Sequence, residues 1–413
     1  MPVVVQKYGG TSVGDAHRIE HVAKRVARTR EAGNDVVVVV SAMGETTDEL
    51  ARLAASITPV PEPRELDMLL TAGERIAMSL LAIAVNACGC KAASYTGSQA
   101  GIITDTHHGR AKIVDIRPGR IREALDAGNV VILAGFQGLS TNYDITTLGR
   151  GGSDMTAVAM AAALGADVCE IYTDVDGVYT ADPRTEPRAR KLDWVSFDEM
   201  LELSACGAKV LQLRSVEYAR RHRVRLHVRH SQLETDGTWV VEESEVPVLE
   251  QALIRGVALD TEEAKVTLED VPDRPGVAAL IFKTVAADGV SVDMIVQNVS
   301  RGNRTDVSFT VPREDLPRLD GVLRGIVSDI GAARYSTDDG IAKLSLVGAG
   351  MKTSPGVAAD MFDALSAEDI NIEMISTSSI RISCVIRAAD ADRAVRAIHR
   401  RFGLEGGVLQ DES

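Results

Sequence analysis

The segment Leu148–Asp154 (LGRGGSD) combines residue types that could bind an anion. Its three glycines leave backbone N–H groups open to close approach by a ligand. The Ala-rich stretch Met155–Gly165 that follows is predicted to be a helix capped by Ser153 or Asp154, so the turn would present amides and the positive end of a helix dipole. Arg150 adds a forked cation that suits phosphate or carboxylate. Because glycine turns are also common as plain connections, this motif alone leaves both interpretations open.

A second glycine turn lies near the N-terminus, where the apolar run Val3–Val5 leads into Lys7, Gly9 and Gly10. Nucleotide phosphates could lie over both glycine turns, with the ammonium group of Lys7 between them. The sequence contains no GxxxxGK[ST] phosphate loop and neither the HRD nor the DFG motif of protein kinases. Any phosphoryl transfer would therefore use another fold. The charged residues that sit at such turns are Lys7, Glu74, Arg150, Asp154, Asp174 and Arg184.

Apolar runs precede most of these turns and are typical of buried parallel strands. The runs are Val3–Gln6, Val36–Val40, Val130–Ala134 and Cys169–Thr173, and helical stretches separate them. Strand, glycine turn and helix repeat as in an α/β protein with a mainly parallel sheet. Because ligands bind at the carboxyl edge of such sheets, the turns are expected to collect there.

An internal repeat follows a predicted break between residues 231 and 250. Pro275–Ala279 (PGVAA) recurs 80 residues later as Pro355–Ala359, and Phe282 recurs at the same spacing as Phe362. Each copy has the order strand, Pro-Gly turn, helix, strand, strand, helix, strand, which is that of a ferredoxin-like βαββαβ domain. Two consecutive copies indicate a paired module.

Composition limits the class of protein. A chain of 413 residues with 45% hydrophobic and 25% charged residues predicts two or three soluble domains. The net charge of −14 argues against nucleic acid as a partner. The five cysteines are odd in number and form no CxxC pair, so we expect reduced core thiols. No signal peptide is evident, and no apolar run approaches the ~20 residues of a membrane helix, so we expect a cytoplasmic protein without membrane contacts.

Five motifs, in this order and spacing, closely resemble the aspartate kinases (aspartokinases) of the amino-acid kinase superfamily: VVQKYGGTSVG, VVVVVSAMGETTDEL, LLTAGERIAMSLL, TLGRGGSDMTAVAMAAAL and EIYTDVDGVYTADPR. The C-terminal repeat resembles the paired ACT domains that these enzymes carry. The resemblance extends from about Val3 to Leu404. It implies an α/β fold, with a catalytic αβα sandwich over residues 1–245 and two ferredoxin-like ACT domains over 246–335 and 336–413.

The reaction implied by the resemblance transfers the γ-phosphate of ATP to the β-carboxylate of L-aspartate, which gives 4-phospho-L-aspartate and ADP on the way to lysine, threonine and methionine. That carboxylate is ionised at neutral pH, because its ordinary pKa is about 3.9, and so needs no general base. Repulsion between carboxylate and triphosphate is the obstacle, so catalysis should consist of positioning and positive charge. Mg²⁺ is expected to arrive with the nucleotide and to need no protein metal site.

The resemblance also implies roles for individual residues. Lys7 would neutralise the transferring phosphoryl group, and Asp154 would orient this lysine. Arg150 would bind the α-carboxylate of aspartate, and Glu74 would pair with its ammonium group. The other residues implied to contact aspartate are Thr47, Gly151, Gly152 and Ser153. Those implied to bind ATP, besides Lys7, are Tyr8, Gly9, Gly10, Ser41, Thr173, Asp174, Tyr179, Arg184 and Lys209.

The ACT resemblance implies feedback control by lysine, threonine or both, bound between domains, and a homo-oligomer formed through these domains. The implied effector-site residues are Asp273, Gly276, Gln297, Asn298, Asn371, Ile372 and Ser376. Loop capping and polar strand edges would explain the same residues without a ligand.

Two alternatives stay open at the level of sequence. A kinase of the same fold could act on another amino-acid carboxylate in a specialised pathway, or the chain could be a non-catalytic amino-acid sensor that uses only its ACT pair. The presence of Lys7, Glu74, Arg150 and Asp154 together weighs against the sensor. His107 and His108 are interpreted as a surface pair without a role.

Overall fold

The computed structural model describes residues 1–247, 254–298, 302–349, 351 and 356–405. Contacts divide these residues into two compact units. The first unit comprises Met1–Val178, Lys191–Ser204 and the described residues from Lys209 to 247. The second comprises Tyr179–Arg190, Ala205–Ala208 and the described residues from 254 onward.

Helices and strands alternate through the first 247 residues, with short 3-10 helices at Gly10–Val13 and Glu243–Glu245. In chain order the elements are β1 (Val3–Tyr8), α1 (Ala16–Glu31), β2 (Asp35–Val40), α2 (Thr46–Ile57), α3 (Pro63–Leu70), α4 (Ala72–Ala87), β3 (Ala92–Tyr95), β4 (Ile102–Thr104), β5 (Ile113–Ile116), α5 (Gly119–Asp126), β6 (Val130–Ala134), β7 (Gln137–Ser140), β8 (Ile145–Thr147), α6 (Gly152–Leu164), β9 (Val168–Thr173), β10 (Val178–Tyr179), β11 (Lys191–Leu192), β12 (Trp194–Ser196), α7 (Phe197–Ala205), α8 (Leu213–His222), β13 (Leu226–His230) and β14 (Thr238–Val241).

The main sheet of the first unit has, among the described residues, eight strands in the order β12-β14-β13-β9-β1-β2-β6-β3. The pairs from β13 through to β3 are all parallel, whereas β14 runs antiparallel to β13. The predicted mainly parallel sheet is therefore confirmed. β1 lies between β9 and β2, with Lys7 in register with Ile171 and Val39. The carboxyl ends of these three strands consequently meet at one edge.

The two faces of this sheet are covered by different helices, which explains the runs of consecutive valines. Val36, Val38 and Val40 lie in a core with Leu81 of α4 and Val22 of α1, while α6 packs against β1. Since side chains alternate along a strand, both faces must be apolar where both are covered.

The stretch Pro63–Ala87, which contains α3 and α4, is apolar enough by length and composition to cross a membrane, with a mean hydropathy of 1.6. This finding differs from the sequence-based expectation that no apolar run approaches the length of a membrane helix. Core helices of soluble proteins pass the same test, and 44% of its most apolar window is buried. Ala77, Leu81 and Val85 of α4 belong to the core shared with α1, so this stretch is built as a packed helix pair.

The second unit contains two four-stranded antiparallel sheets, β17-β18-β16-β19 and β15-β20-β22-β21. Each sheet packs on two helices, as predicted for ferredoxin-like domains. The elements are β15 (Gly256–Asp260), β16 (Glu263–Pro272), α9 (Val277–Ala287), β17 (Ile295–Gln297), β18 (Arg304–Pro312), α10 (Leu316–Ile330), β19 (Arg334–Asp338), β20 (Ile341–Val347), α11 (Val357–Ala367), β21 (Met374–Thr377), β22 (Arg381–Arg387) and α12 (Ala391–Arg401).

The repeat detected in the sequence appears at the start of the first helix in each copy. Gly276 and Gly356 cap α9 and α11 with left-handed φ values of 94° and 105°, which only glycine adopts without strain. Pro355, part of the repeated motif, lies outside the described residues.

One strand does not follow the predicted domain boundaries. β15 falls within residues 246–335, the range predicted for the first ACT domain, yet it pairs with β20 in the sheet of the second. It takes the position that β19 occupies beside β16 in the first sheet. The physical reason is the apolar core: Val257 of β15 is buried against Leu344 and Leu346 of β20. The sequences of the two repeats do not show that β15 pairs with the second sheet rather than the first.

The cysteines are free, as expected, but not all of them are in the core. Cys169, Cys206 and Cys384 are buried, whereas Cys88 is exposed and Cys90 is half-buried.

Candidate active site

A shielded ion pair joins β1 to the first turn of α6. Lys7 Nζ lies 2.7 Å from Asp154 Oδ1, and the two side chains are only 13% and 9% exposed. Lys7 faces α6 because side chains alternate along β1, which places Gln6 and Tyr8 on the opposite face. The two glycine turns singled out in the sequence thus meet at the carboxyl edge of the sheet.

α6 begins earlier than the sequence predicted. Its first residue is Gly152, and Gly151, at φ 71°, is the N-cap without any side-chain bond. The prediction that Ser153 or Asp154 caps the helix is therefore wrong, because a left-handed glycine allows the helix to start before them. Asp154 lies instead in the first turn, where the helix dipole favours a carboxylate and where its oxygen reaches Lys7.

The Gly9–Gly10 turn packs tightly against the end of β2. Gly44 N donates a hydrogen bond to Gly10 O at 3.0 Å, and Ser41 N donates to Tyr8 O at 3.1 Å. A Cβ at position 10 would lie 2.7 Å from Ala42 O, which is too close for any side chain. A Cβ at position 9 would lie 3.5 Å from Lys7 Nζ. Position 10 therefore requires glycine, and the backbone of Gly9 lies close to the ammonium group.

Glu74 lies buried in the first turn of α4, with only 3% of the residue exposed. Its Oε1 accepts a hydrogen bond from Ala42 N at 3.1 Å, while its Oε2 is buried without a hydrogen-bond partner among the described residues. Burial raises the pKa of this carboxyl to about 7. A ligand cation would restore the ionised form by attraction and would complete its hydrogen bonding.

Arg150 lies exposed between β8 and α6, in a loop closed by a hydrogen bond from Gly152 N to Gly149 O at 3.0 Å. Ser153 is buried and packs closely on Gly135, just after β6. A Cβ on Gly135 would lie 2.6 Å from Ser153 Oγ. Thr47 is half-buried in the first turn of α2. These residues all belong to the first unit.

The residues predicted to bind the nucleoside part of ATP divide between the two units. Thr173 ends β9 and Asp174 follows it in the first unit, where Thr173 Oγ1 donates to Asp174 Oδ1 at 3.0 Å. Lys209 is exposed in the same unit. Tyr179 and Arg184 belong to the second unit, where the Arg184 guanidinium lies 2.7 Å from the Asp182 carboxylate. For all five residues a role in ATP binding stays a prediction.

The side chain of Tyr8 belongs to the apolar core between the sheet and the helices α1 and α4. Its ring stacks on that of Tyr172, with centroids 4.6 Å apart, and its hydroxyl donates to Gln6 Oε1 at 3.3 Å. Burial raises its pKa well above the usual value. Alternation along β1 turns this ring to the face opposite Lys7. A role of Tyr8 in ATP binding stays a prediction.

The predicted effector residues lie at equivalent places in the two ferredoxin-like domains. Gln297 ends β17 and Asn298 follows it, while Ser376 lies in β21; both strands are edge strands. Asp273, near the start of the first helix, is exposed, and its N–H donates to Asn303 O at 2.8 Å. The remaining predicted residues are Gly276 at the cap of α9, and Asn371 and Ile372 just before β21.

Sequence reasoning assigned no role to Asp67, whose carboxylate is 1% exposed. Its Oδ2 lies 2.8 Å from Nδ1 of His108, a residue that the sequence predicts to be at the surface and that is half-buried. Its Oδ1 accepts a hydrogen bond from Thr147 Oγ1, just before the loop that contains Arg150. The only available signal was an acidic residue within the apolar stretch ELDMLL.

Comparisons with known proteins show the family of the chain. The model of the amino acid kinase family matches residues 2–230, and that of an ACT domain matches residues 269–318 and 344–402. An aspartokinase from Mycolicibacterium smegmatis is 57% identical over 409 residues, 98% of this chain and 97% of that protein. The structure of E. coli aspartokinase III in complex with aspartate and ADP (R-state) is similar at a TM-score of 0.81 and 26% identity, covering 97% of this chain and 99% of that one. The same enzyme with lysine and aspartate (T-state) gives a TM-score of 0.73 at 26% identity and the same coverage.

Proposed function

This chain belongs to the amino acid kinase family and, within it, to the aspartokinases with C-terminal ACT domains, and on that premise we propose how its residues phosphorylate aspartate. Lys7 Nζ, held by Asp154, lies between the γ-phosphoryl group of ATP and the β-carboxylate of aspartate and offsets their repulsion. The observation that carries this proposal is the 2.7 Å Lys7–Asp154 pair at the edge where both glycine turns meet. A fixed cation there acts where negative charge accumulates in the transition state.

The chemical step is a displacement at phosphorus. A β-carboxylate oxygen of aspartate forms a bond to the γ-phosphorus while the bond from that phosphorus to the β,γ-bridging oxygen breaks, and ADP leaves with the electron pair. No proton is transferred, because the attacking carboxylate is already ionised. The protein's task is therefore to hold two anions in line rather than to supply a base.

On the aspartate side, Arg150 binds the α-carboxylate and Glu74 the ammonium group. The buried and unpartnered Oε2 of Glu74 supports this role, since an ammonium ion would supply the missing donor. Arg150 lies within the glycine turn that precedes α6, and amides at a helix start favour anions. Thr47, Gly151, Gly152 and Ser153 complete the aspartate site.

On the nucleotide side, the bare backbone of Gly9 and Gly10 beside Lys7 binds the phosphates. The resemblance to aspartokinases supports further nucleotide contacts from Tyr8, Ser41, Thr173, Asp174, Tyr179, Arg184 and Lys209. Within the described ranges, no group of three or more His, Cys, Asp or Glu is arranged to hold a metal ion. Mg²⁺ would be carried by the nucleotide and would supply positive charge to its phosphates when bound.

We propose further that lysine, threonine or both bind the ACT domains, at Asp273, Gly276, Gln297 and Asn298 in one copy and at their counterparts around β21 in the other. The lysine complex of E. coli aspartokinase III supports an amino-acid effector. Inhibition then requires an effector that binds one of two arrangements of the enzyme more tightly. The chain works as a cytoplasmic homo-oligomer joined through its ACT domains.

A coupled assay of ADP release, with aspartate, glutamate and water as acceptors, tests the proposed acceptor. Aspartate should support turnover, and glutamate and water should not. Equal rates with glutamate would favour a kinase for another carboxylate, and no turnover with any acceptor would favour an amino-acid sensor.

A further inference from the structure

The buried carboxylate of Asp67 joins three segments beside the Arg150 loop, by which we mean Leu148–Gly151. Asp67 Oδ1 accepts a hydrogen bond from Thr147 Oγ1 at 2.5 Å. Both carboxylate oxygens lie 3.1 Å from Gly109 N, and Oδ2 lies 2.8 Å from His108 Nδ1. A single side chain of α3 thereby ties the 108–109 turn to the last residue of β8, from which the Arg150 loop starts.

Arg214 of α8 holds the same point from another direction. Its Nη1 donates to Leu148 O at 3.1 Å and its Nη2 to Ala111 O at 3.4 Å. Ala111 N in turn donates to Thr147 O at 2.9 Å. The first residue of the Arg150 loop is therefore fixed on its carbonyl by a guanidinium and, through Thr147, by the Asp67 carboxylate.

The glycines of the loop let it contact its supports directly. A Cβ on Gly149, whose φ is 76°, would lie 3.1 Å from Gly109 O, the residue that Asp67 holds. A Cβ on Gly151 would overlap the side chain of Gln212. The backbone at Gly149 is thus packed against the turn that Asp67 holds, and the backbone at Gly151 lies against the Gln212 side chain. The loop therefore fits closely against its surroundings on both sides of Arg150.

We propose that Asp67, His108 and Arg214 are positioning residues that set the place of the Arg150 guanidinium and thereby the binding of aspartate. This inference rests on the proposed function, in which Arg150 binds the α-carboxylate. The position of the charge on a long side chain depends on how firmly the backbone of that residue is held. Small displacements of a binding group lower the affinity for the ligand. None of the three residues is assigned a contact with substrate; they act through the loop.

The same geometry bears on acceptor choice. Aspartate and glutamate differ by one methylene group between the α-carboxylate and the carboxylate that attacks phosphorus. An Arg150 held in one place sets that distance for the shorter acid, so a loosened loop should reduce discrimination between the two acids.

The test is a set of single variants, His108→Ala, Asp67→Asn and Arg214→Lys, with His107→Ala as the matched control. His107 adjoins His108, but its side chain is 79% exposed and its Nδ1 lies 3.2 Å from Asp105 Oδ2. We expect the His108 variant to raise KM for aspartate about 3- to 10-fold, the effect of one lost hydrogen bond, with KM for ATP unchanged and weaker discrimination against glutamate. The control should match the wild type. An unchanged KM for aspartate, or an equal rise in both KM values, overturns the proposal.

A double-mutant cycle separates this inference from the proposed function. Arg150→Ala alone should raise KM for aspartate; if it does not, the proposed role of Arg150 fails and this inference fails with it. If it does, His108→Ala added to Arg150→Ala should cause no further rise. A second rise of the same size would show that His108 acts independently of Arg150, which overturns the inference and leaves the proposed function intact. Should Asp67→Asn fail to fold, the His108 variants still decide the question.

Discussion

Thr180 Oγ1 lies 2.9 Å from His399 Nε2, and both side chains are fully buried. The same hydroxyl lies 3.1 Å from Leu404 O. Thr180 stands between Tyr179 and Arg184 in the segment predicted to bind ATP, whereas His399 lies in α12 of the second ferredoxin-like domain. Part of the segment predicted to bind the nucleotide therefore belongs to the second unit.

Replacement of Thr180 by Val should destabilise the second unit. The substitution leaves His399 Nε2 and Leu404 O buried without their partner, which costs about 1–3 kcal/mol. In thermal unfolding, the second unit of the Thr180 variant should melt at a lower temperature than that of the wild type. The control Thr337→Val, at an exposed position of the same unit, should leave the melting temperature almost unchanged. Identical melting of both variants would show that the buried bonds contribute no stability.

The same contact makes the second unit sensitive to acid. Burial lowers the pKa of His399 below its usual 6.5, so the folded chain holds a neutral ring while the unfolded chain takes up a proton. The stability contributed by His399 is then complete above pH 6.5 and declines as the pH falls below it. Unfolding measured between pH 7.5 and 5.5 should show this loss, and His399→Gln should reduce it. A loss of the same size in the variant would assign it to other groups.

Removal of the Lys7 ammonium should abolish most turnover. Lys7→Ala is expected to lower kcat by about 10²–10³-fold or more, because a fixed cation at the transferring group is lost, while effector binding to the second unit persists. Lys24→Ala, which removes an exposed lysine, serves as the control. The measurement is steady-state ADP release at saturating substrates. Turnover of Lys7→Ala within a few-fold of the control would remove Lys7 from the mechanism.

Aspartate binding should weaken in acid through Glu74. Its pKa of about 7 in the free enzyme means that the carboxyl is largely protonated below that pH and must release a proton to pair with an ammonium ion. KM for aspartate should therefore rise about tenfold for each pH unit below 7, and calorimetry in buffers of different ionisation enthalpy should detect the proton. Glu74→Gln should raise KM and make it independent of pH in this range. A pH profile unchanged by that substitution would contradict the assignment.

A charge placed in β15 should disrupt the second ferredoxin-like domain although β15 precedes the first in sequence. Val257→Asp buries a carboxylate among the apolar residues of β20, which costs several kcal/mol. Val114→Asp, at a position that is 55% exposed, is the matched control. Hydrogen exchange should show lost protection in β20 and β22 and retained protection in β16 and β18. The reverse pattern would refute the observed pairing.

The sequence allowed prediction of features that depend on local pattern. Consecutive valines indicated β2 as a strand buried on both faces, and glycine turns after strands indicated the edge where Lys7 and Asp154 meet. The 80-residue repeat indicated two ferredoxin-like copies. Each of these signals lies within a short stretch, because strand alternation and glycine conformations act over a few residues.

Features set by distant contacts were not predictable. The position of β15 depends on which apolar face it completes, and the burial of Asp67 depends on Gly109 and Thr147, which are remote in sequence. The start of α6 depends on the left-handed conformation of Gly151, which the sequence does not specify.

The exchange of β15 also has a consequence for biosynthesis. This strand leaves the ribosome before the whole first ferredoxin-like copy, and its partner β20 follows only about 80 residues later. During that interval the nascent chain carries an apolar strand with unpaired edges, a target for mispairing and for chaperones. Neither copy can therefore be transferred alone to another gene as an independently folding domain. An insertion or duplication in this region must keep β15 and both copies together.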